Sequence, residues 1–153
     1  ITDTGMDDIN EFLECLNSFQ KVHFEFMDCC EITDSGVINL CKAVKKLVNL
    51  QSLYMSFSGC PEVTDRGVKE VVDCMRNLVN LRRIGIAFEE CEKITDESSD
   101  YLVQYLKTQS CLERISLGFV RYATEEEELN EFEKEIENLK IQRPDTDIEW
   151  RPL

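Results

Sequence analysis

The stretch FSGCPEVTDRGV, residues 57–68, decides the fold because the chain repeats it. FMDCCEITDSGV runs from residue 26 and FEECEKITDESS from residue 88. Rows begun at residues 1, 32, 63 and 94 align without a gap at 31 residues, opening ITDTGM, ITDSGV, VTDRGV and ITDESS. Position 26 of the row is Phe26, Phe57, Phe88 and Phe119. Position 29 is Cys29, Cys60, Cys91 and then Tyr122, and position 19 is Phe19, Leu50, Leu81 and Leu112. Self-similarity at a fixed period of this size is the signature of a stacked-repeat architecture.

Two hydrophobic periods alternate inside each row. Met6, Ile9, Leu13 and Leu16 fall at steps of three and four, as do Val37, Leu40, Val44 and Leu47, and Val68, Val71, Met75 and Leu78. That spacing gives one apolar helix face. Val22 and Phe24, Leu53 and Met55, Ile84 and Ile86, and Ile115 and Leu117 fall at steps of two ahead of each Phe, which gives a short strand with one buried face. The Thr-Asp pair ahead of each helix offers side-chain oxygens to the N–H groups of that helix's first turn. Gly5, Gly36 and Gly67 keep the helix start small where it meets its neighbour.

One strand–turn–helix unit cannot bury its own apolar face, but stacked copies can. Strands stack about 4.8 Å apart, whereas helix axes need about 8–10 Å, so the stack curves with the strands inside. The expected architecture is an α/β horseshoe segment. A parallel sheet lies on the concave side and helices on the convex side, with four units (1–31, 32–62, 63–93, 94–124) and a C-terminal cap over 125–153. In the cap, Thr124 and the EEEE run open a helix carrying Leu129, Phe132, Ile136 and Leu139. QRPDTD is a turn, and Asp147 to Arg151 a last strand with Ile148 and Trp150 inward. Ile1 stands just after the place of a strand, so at least one further strand is expected upstream.

The residues 50–67, LQSLYMSFSGCPEVTDRG, carry a resemblance. With L-x-x-L-x-L, a downstream Cys and I-T-D-x-G, they resemble the cysteine-containing subtype of the leucine-rich repeat. That subtype is known from F-box-type ubiquitin-ligase receptors and from large protist proteins, including ciliate ones. The pattern covers roughly residues 1–124. The chain departs from it in a longer unit and in a third inward strand position, the Phe. The resemblance implies a protein-interaction surface and no cofactor.

Composition narrows the function classes. Net charge is −14, with 8 acids and 1 base over residues 1–31 and 11 acids and 4 bases over 125–153. Such a field repels nucleic acid and anionic lipid, so neither nucleic acid nor membrane is an expected partner. Eight cysteines set in apolar and helical patterns read as reduced thiols of a cytoplasmic protein rather than a disulfide framework. Cys29, Cys60 and Cys91 are expected to be buried and structural, with Phe26, Phe57, Phe88 and Phe119 beneath the strands. A ladder of parallel rungs gives a line of sulfurs, not the tetrahedron of a zinc site. One His, no G-x-S-x-G, no Gly-rich phosphate loop and no H-E-x-x-H leave no catalytic constellation.

The candidate surface is the concave face. Its outward positions read Lys21, His23, Glu25 and Met27; Ser52, Tyr54, Ser56 and Ser58; Arg83, Gly85, Ala87 and Glu89; and Arg114, Ser116, Gly118 and Val120. The expected contacts to a protein partner are Lys21, His23, Glu25, Tyr54, Ser56, Arg83, Glu89 and Arg114. The expected role is a non-enzymatic scaffold in a large eukaryotic assembly, cytoskeletal or ciliary. The alternative is the substrate-recognition segment of an F-box-type ligase.

Overall fold

A computed structural model describes residues 1–14, 18–119 and 131–152. Among the described residues five helices and five strands alternate: α1 (Asp3–Glu14), β1 (Lys21–Glu25), α2 (Asp34–Val44), β2 (Ser52–Ser56), α3 (Asp65–Met75), β3 (Arg83–Phe88), α4 (Asp96–Thr108), β4 (Arg114–Phe119), α5 (Glu131–Gln142) and β5 (Asp147–Pro152). The strands form one parallel sheet in chain order. Val22 faces Leu53, Leu53 faces Ile84, Ile84 faces Ile115, and Ile115 faces Ile148. The helices pack on one another in the same order. This is a leucine-rich-repeat solenoid.

The two hydrophobic periods meet between the layers. Val37, Leu40, Val44 and Leu47 are fully buried, and Val68, Val71, Met75 and Leu78 nearly so. The Phe column forms a spine along the stack. Phe26 and Phe57 lie 5.4 Å apart between ring centres, Phe57 and Phe88 5.5 Å, and Phe88 and Phe119 5.7 Å. The spine continues into the C-terminal unit through Phe132 and Trp150. Stacked rings add to the burial of their area because offset contacts suit the aromatic quadrupole.

The Thr33-Asp34 and Thr64-Asp65 pairs each do two jobs, and only one is the helix cap read from the sequence. The threonine caps its own helix: the Thr33, Thr64 and Thr95 hydroxyl oxygens accept from Ser35, Arg66 and Glu97 N–H. The aspartate instead reaches forward to the next unit. The Thr33 N–H donates to Asp3 Oδ1 (2.9 Å) and the Thr33 hydroxyl to Asp3 Oδ2 (2.7 Å). Asp34 receives the same pair from Thr64, and Asp65 from Thr95. Three identical joints result, each a carboxylate clamped by charge-assisted hydrogen bonds.

The glycines are the other half of these joints. A Cβ on Gly36 would collide with Asp3 Oδ1, and on Gly67 it would lie 2.7 Å from Asp34 Oδ1. In the fourth unit Ser98 takes the glycine's place, and its hydroxyl donates to Asp65 Oδ1. Burial pushes the Asp65 carboxyl up, but the bonds from Ser98 and Thr95 outweigh it and hold the carboxyl below its ordinary 3.8.

In the turns after β2 and β3 the thiols knit the rungs together. Cys60 Sγ–H donates to the Phe26 carbonyl (3.2 Å) and Cys91 Sγ–H to the Phe57 carbonyl (3.1 Å). The residue just before each of these cysteines takes a left-handed backbone in two units, Gly59 (φ 73°) and Glu90 (φ 58°), and Asp28 (φ 54°) does so before Cys29. Seven cysteines are described and all are free thiols.

Several expectations need correction at the N-terminal end. Cys29 is half-exposed rather than buried, because it lies on the outermost rung. Phe19, at the position of buried Leu50, Leu81 and Leu112, is 39% exposed. Val22 and Phe24 are only partly buried against the core. At the C-terminal end Phe132, Ile136, Leu139 and Ile148 are buried as expected, and Trp150 packs partly buried against them. Leu16, Val120, Tyr122, Thr124, the EEEE run and Leu129 lie outside the described residues. A contact invisible in the sequence is Arg143, whose guanidinium donates to the Leu106 and Gln109 carbonyls (both 2.7 Å) at the end of α4.

Candidate functional site

Alternation along each strand leaves one face of the sheet without a covering layer among the described residues. Its floor is built by small residues. Ser56, Ser58 and Ala87 are buried, and Gly85 and Gly118 lie on the neighbouring strands. The walls are Tyr54, Glu25, Met27 and Glu89, around a cavity of about 170 Å³.

Tyr54 does not project freely into solvent. Its ring lies along the sheet between the His23 ring, 4.2 Å away centre to centre, and Gly85, where a Cβ would collide with Tyr54 Cδ2. The glycine therefore leaves room for the edge of the phenol ring over β3. Glu89 is seated the same way: a Cβ on Gly118 would stand 2.7 Å from Glu89 Oε1. Each outward glycine is the seat of a side chain from the preceding strand.

Charge is graded along the strand direction. Lys21 and Arg83 stand exposed at the start of the strands. Glu25 ends β1 about 13 Å from Lys21, and Glu89 follows β3 about 20 Å from Arg83, at about 3.3 Å per residue. Arg114 belongs to the first group by position, but its guanidinium pairs with Asp147 (2.8 Å) on β5. His23 Nε2 lies 3.7 Å from Glu25 Oε2. Between the two ends lies an aromatic and small-residue band.

The structure thus brings Lys21, His23, Glu25, Tyr54, Arg83, Glu89 and Arg114 onto one face. Ser56 departs from the expected contact set. It is 3% exposed, and its hydroxyl donates to Ser58 Oγ (3.3 Å) on the cavity floor. A serine between larger outward neighbours is covered by them. Sequence reasoning missed Ser58, whose hydroxyl oxygen accepts from Glu89 N–H (3.2 Å) and fixes that turn. Its sole signal was its smallness beside Glu89.

The convex face offers less. Lys45 pairs with Glu70 (2.6 Å), Lys69 with Asp73 (2.6 Å), and Arg76 with Asp73 (3.6 Å). The basic helix residues are thus largely engaged by neighbouring acids. Among the described residues no group of three or more His, Cys, Asp or Glu could hold a metal ion, and no helix is long and apolar enough to cross a membrane.

No family model matches the chain, and no curated protein matches it. Among solved structures, the tropomodulin C-terminal domain of Caenorhabditis elegans is similar at a TM-score of 0.47 and 10% sequence identity, over 91% of this chain and 93% of that one.

Proposed function

We propose that the chain is a non-enzymatic protein-interaction module that binds an extended segment of a partner protein on the open face of its sheet. The observation that carries this reading is the charge-graded face around Tyr54. An aromatic ring is framed by small residues, with basic groups at one end and carboxylates about 13–20 Å away at the other. That span corresponds to about four to six residues of extended chain. A partner segment with an acidic group at one end and a lysine or arginine at the other would match Lys21 and Arg83 on one side and Glu25 and Glu89 on the other. A preorganised Tyr gives contact area at low entropy cost, which is why Tyr is enriched among binding hot spots.

We read residues 1–124 as four repeat units, 125–153 as a cap, and the repeats as the cysteine-containing subtype. The thiol bonds of Cys60 and Cys91 to the preceding rung support the last point. On this reading the protein is a cytoplasmic scaffold subunit of a eukaryotic assembly, cytoskeletal or ciliary. The F-box-type ligase reading is the alternative that the subtype resemblance brings with it, and an F-box in the same polypeptide would select it.

Tyr54→Ala tests the site. It is expected to weaken capture of the partner by about 1–2 kcal/mol while leaving the melting temperature nearly unchanged. Partner capture from the native assembly, with thermal melting in parallel, checks both. Unchanged capture with unchanged melting would move the interface off this face.

A further inference from the structure

Glu25, Ser56, Ala87 and Gly118 face one another across four successive strands. The row is a trough, with a carboxylate at one end and small residues along the rest. A second carboxylate closes the far end. Glu89 leans over Gly118 with Oε1 turned down, so that a Cβ there would stand 2.7 Å from it. Ser58 fixes the root of Glu89 by accepting from its N–H (3.2 Å). The Ser56 hydroxyl donates to Ser58 Oγ (3.3 Å), so the floor is built without a ligand. The Tyr54 ring forms a side wall, and the enclosed volume is about 170 Å³. Small-molecule pockets run to about 300–1,000 Å³, so this cavity has room for a single side chain.

Charge selects which side chain. On the convex face Lys45 engages Glu70 and Lys69 engages Asp73. In the trough, by contrast, no base among the described residues pairs with Glu89, and Glu25 has only the His23 ring, at 3.7 Å. A concave site lined by one sign of charge focuses its field on the opposite sign, so the fitting side chain is a cation. The seat of Glu89 then separates the two common cations. With Oε1 resting on Gly118, the carboxylate does not offer both oxygens side by side to a guanidinium fork. A compact ammonium needs only one oxygen from each acceptor.

We propose, on the reading that the open face is the partner site, that this trough is a pocket for one lysine side chain of the partner segment. Its ammonium donates to the Glu89 carboxylate, and Glu25 adds a second negative charge from the other end. Its methylene stem lies along the Tyr54 ring, where a cation's apolar body is favoured. Acetylation of that lysine on Nε removes the charge and releases the segment, so docking is switched by the modification state of the partner.

The probes are Nα-acetyl-lysine amide, its Nε-acetyl derivative, and the matching norleucine and arginine amides, each titrated into the full 153-residue chain and followed by amide resonances. The lysine probe is expected to shift the Ser58, Ala87 and Glu89 amides and to bind about tenfold more tightly than the other three. Glu89→Gln should weaken it about tenfold, whereas Glu92→Gln, which removes the same charge from an exposed position outside the cavity, should leave it unchanged. Glu25→Gln, at an exposed position, should weaken it as well and serves if Glu89→Gln fails to melt as the parent does. Equal shifts from the norleucine or Nε-acetyl probe, tighter binding of the arginine probe, or equal effects of Glu89→Gln and Glu92→Gln would overturn the pocket. Partner capture that falls with Tyr54→Ala while the lysine probe shifts nothing would also overturn it, and would leave the face as the partner site. Lysine-probe binding with capture indifferent to Tyr54→Ala would keep the cation pocket and remove the open-face reading.

Discussion

The two faces of the same strands obey different rules. Toward the helices, position 26 is Phe in four successive units and position 29 is Cys in three. Toward the open side, position 23 runs His23, Tyr54, Gly85, Ser116 without repetition. The buried face is a joint that every unit must make with the next, so each unit carries the same solution. The open face has no such obligation, and its side chains are fitted to one another individually: Tyr54 over Gly85, Glu89 over Gly118. Regularity here marks the joints shared between units, and irregularity marks the face that makes none of them.

The largest expected effect lies on the regular side. Phe57→Ala removes a fully buried ring stacked between Phe26 and Phe88, and should cost about 3–5 kcal/mol in denaturant unfolding. A cost below about 1 kcal/mol would mean that the spine is not shared between units.

Two glycines break the comparison next. Gly36→Ala drives a methyl into the Asp3 carboxylate held by Thr33 and should destabilise by about 1–3 kcal/mol, despite the helix-propensity gain of alanine. Gly85→Ala meets first the Tyr54 ring, a side chain on the open face that can turn aside, so its stability cost should stay below about 1 kcal/mol. Partner capture, by contrast, should fall. Equal melting shifts for the two variants would erase the distinction between the faces.

The joint made by Asp65 also titrates. The Asp65 carboxyl is held below 3.8 in the fold by the hydroxyl and amide donors of Ser98 and Thr95. A lowered folded pKa means that its contribution is complete above 3.8 and is lost as pH falls through the folded value. Acid unfolding of Asp65→Asn should therefore show a smaller loss of stability below pH 3.8 than the parent, and a lower stability at pH 7. Identical pH profiles would remove the ionised carboxylate from the joint.

The smallest effect is on reactivity. Burial pushes the Cys91 thiol up to about 11 and raises Cys60 as well. Cys41 is raised well above 9.0 by its contact with Cys74 and by burial. In a Cys15→Ser background, a disulfide reagent at pH 8 should modify Cys30 and Cys111, which are exposed, and Cys29 more slowly. Cys41, Cys60, Cys74 and Cys91 should react only on unfolding. Rapid native-state modification of Cys60 or Cys91 would break the thiol-to-carbonyl rungs.

The repeat register was legible in the sequence because burial is periodic: a solenoid's neighbours lie a fixed number of residues away, so the tertiary contacts are written in the spacing itself. The 31-residue period therefore determined the helices, the parallel strands, the Phe spine and the stacking order before any coordinate. Leu53, Ile84 and Ile115 fall on adjacent strands for that reason. What the sequence left open concerns direction. An aspartate following a threonine at a helix start reads equally well as a local cap or as a clamp on the next unit. Only the distance between rungs decided that Thr33 caps and Asp3 clamps. Exposure at the ends likewise depends on a neighbour rather than on residue type, so Cys29 and Phe19 left the pattern of their columns. On the open face the period carries no burial constraint. There the tertiary structure alone decided that Ser56 sinks to the floor, that Arg114 pairs with Asp147, and that the Tyr54 ring packs against Gly85.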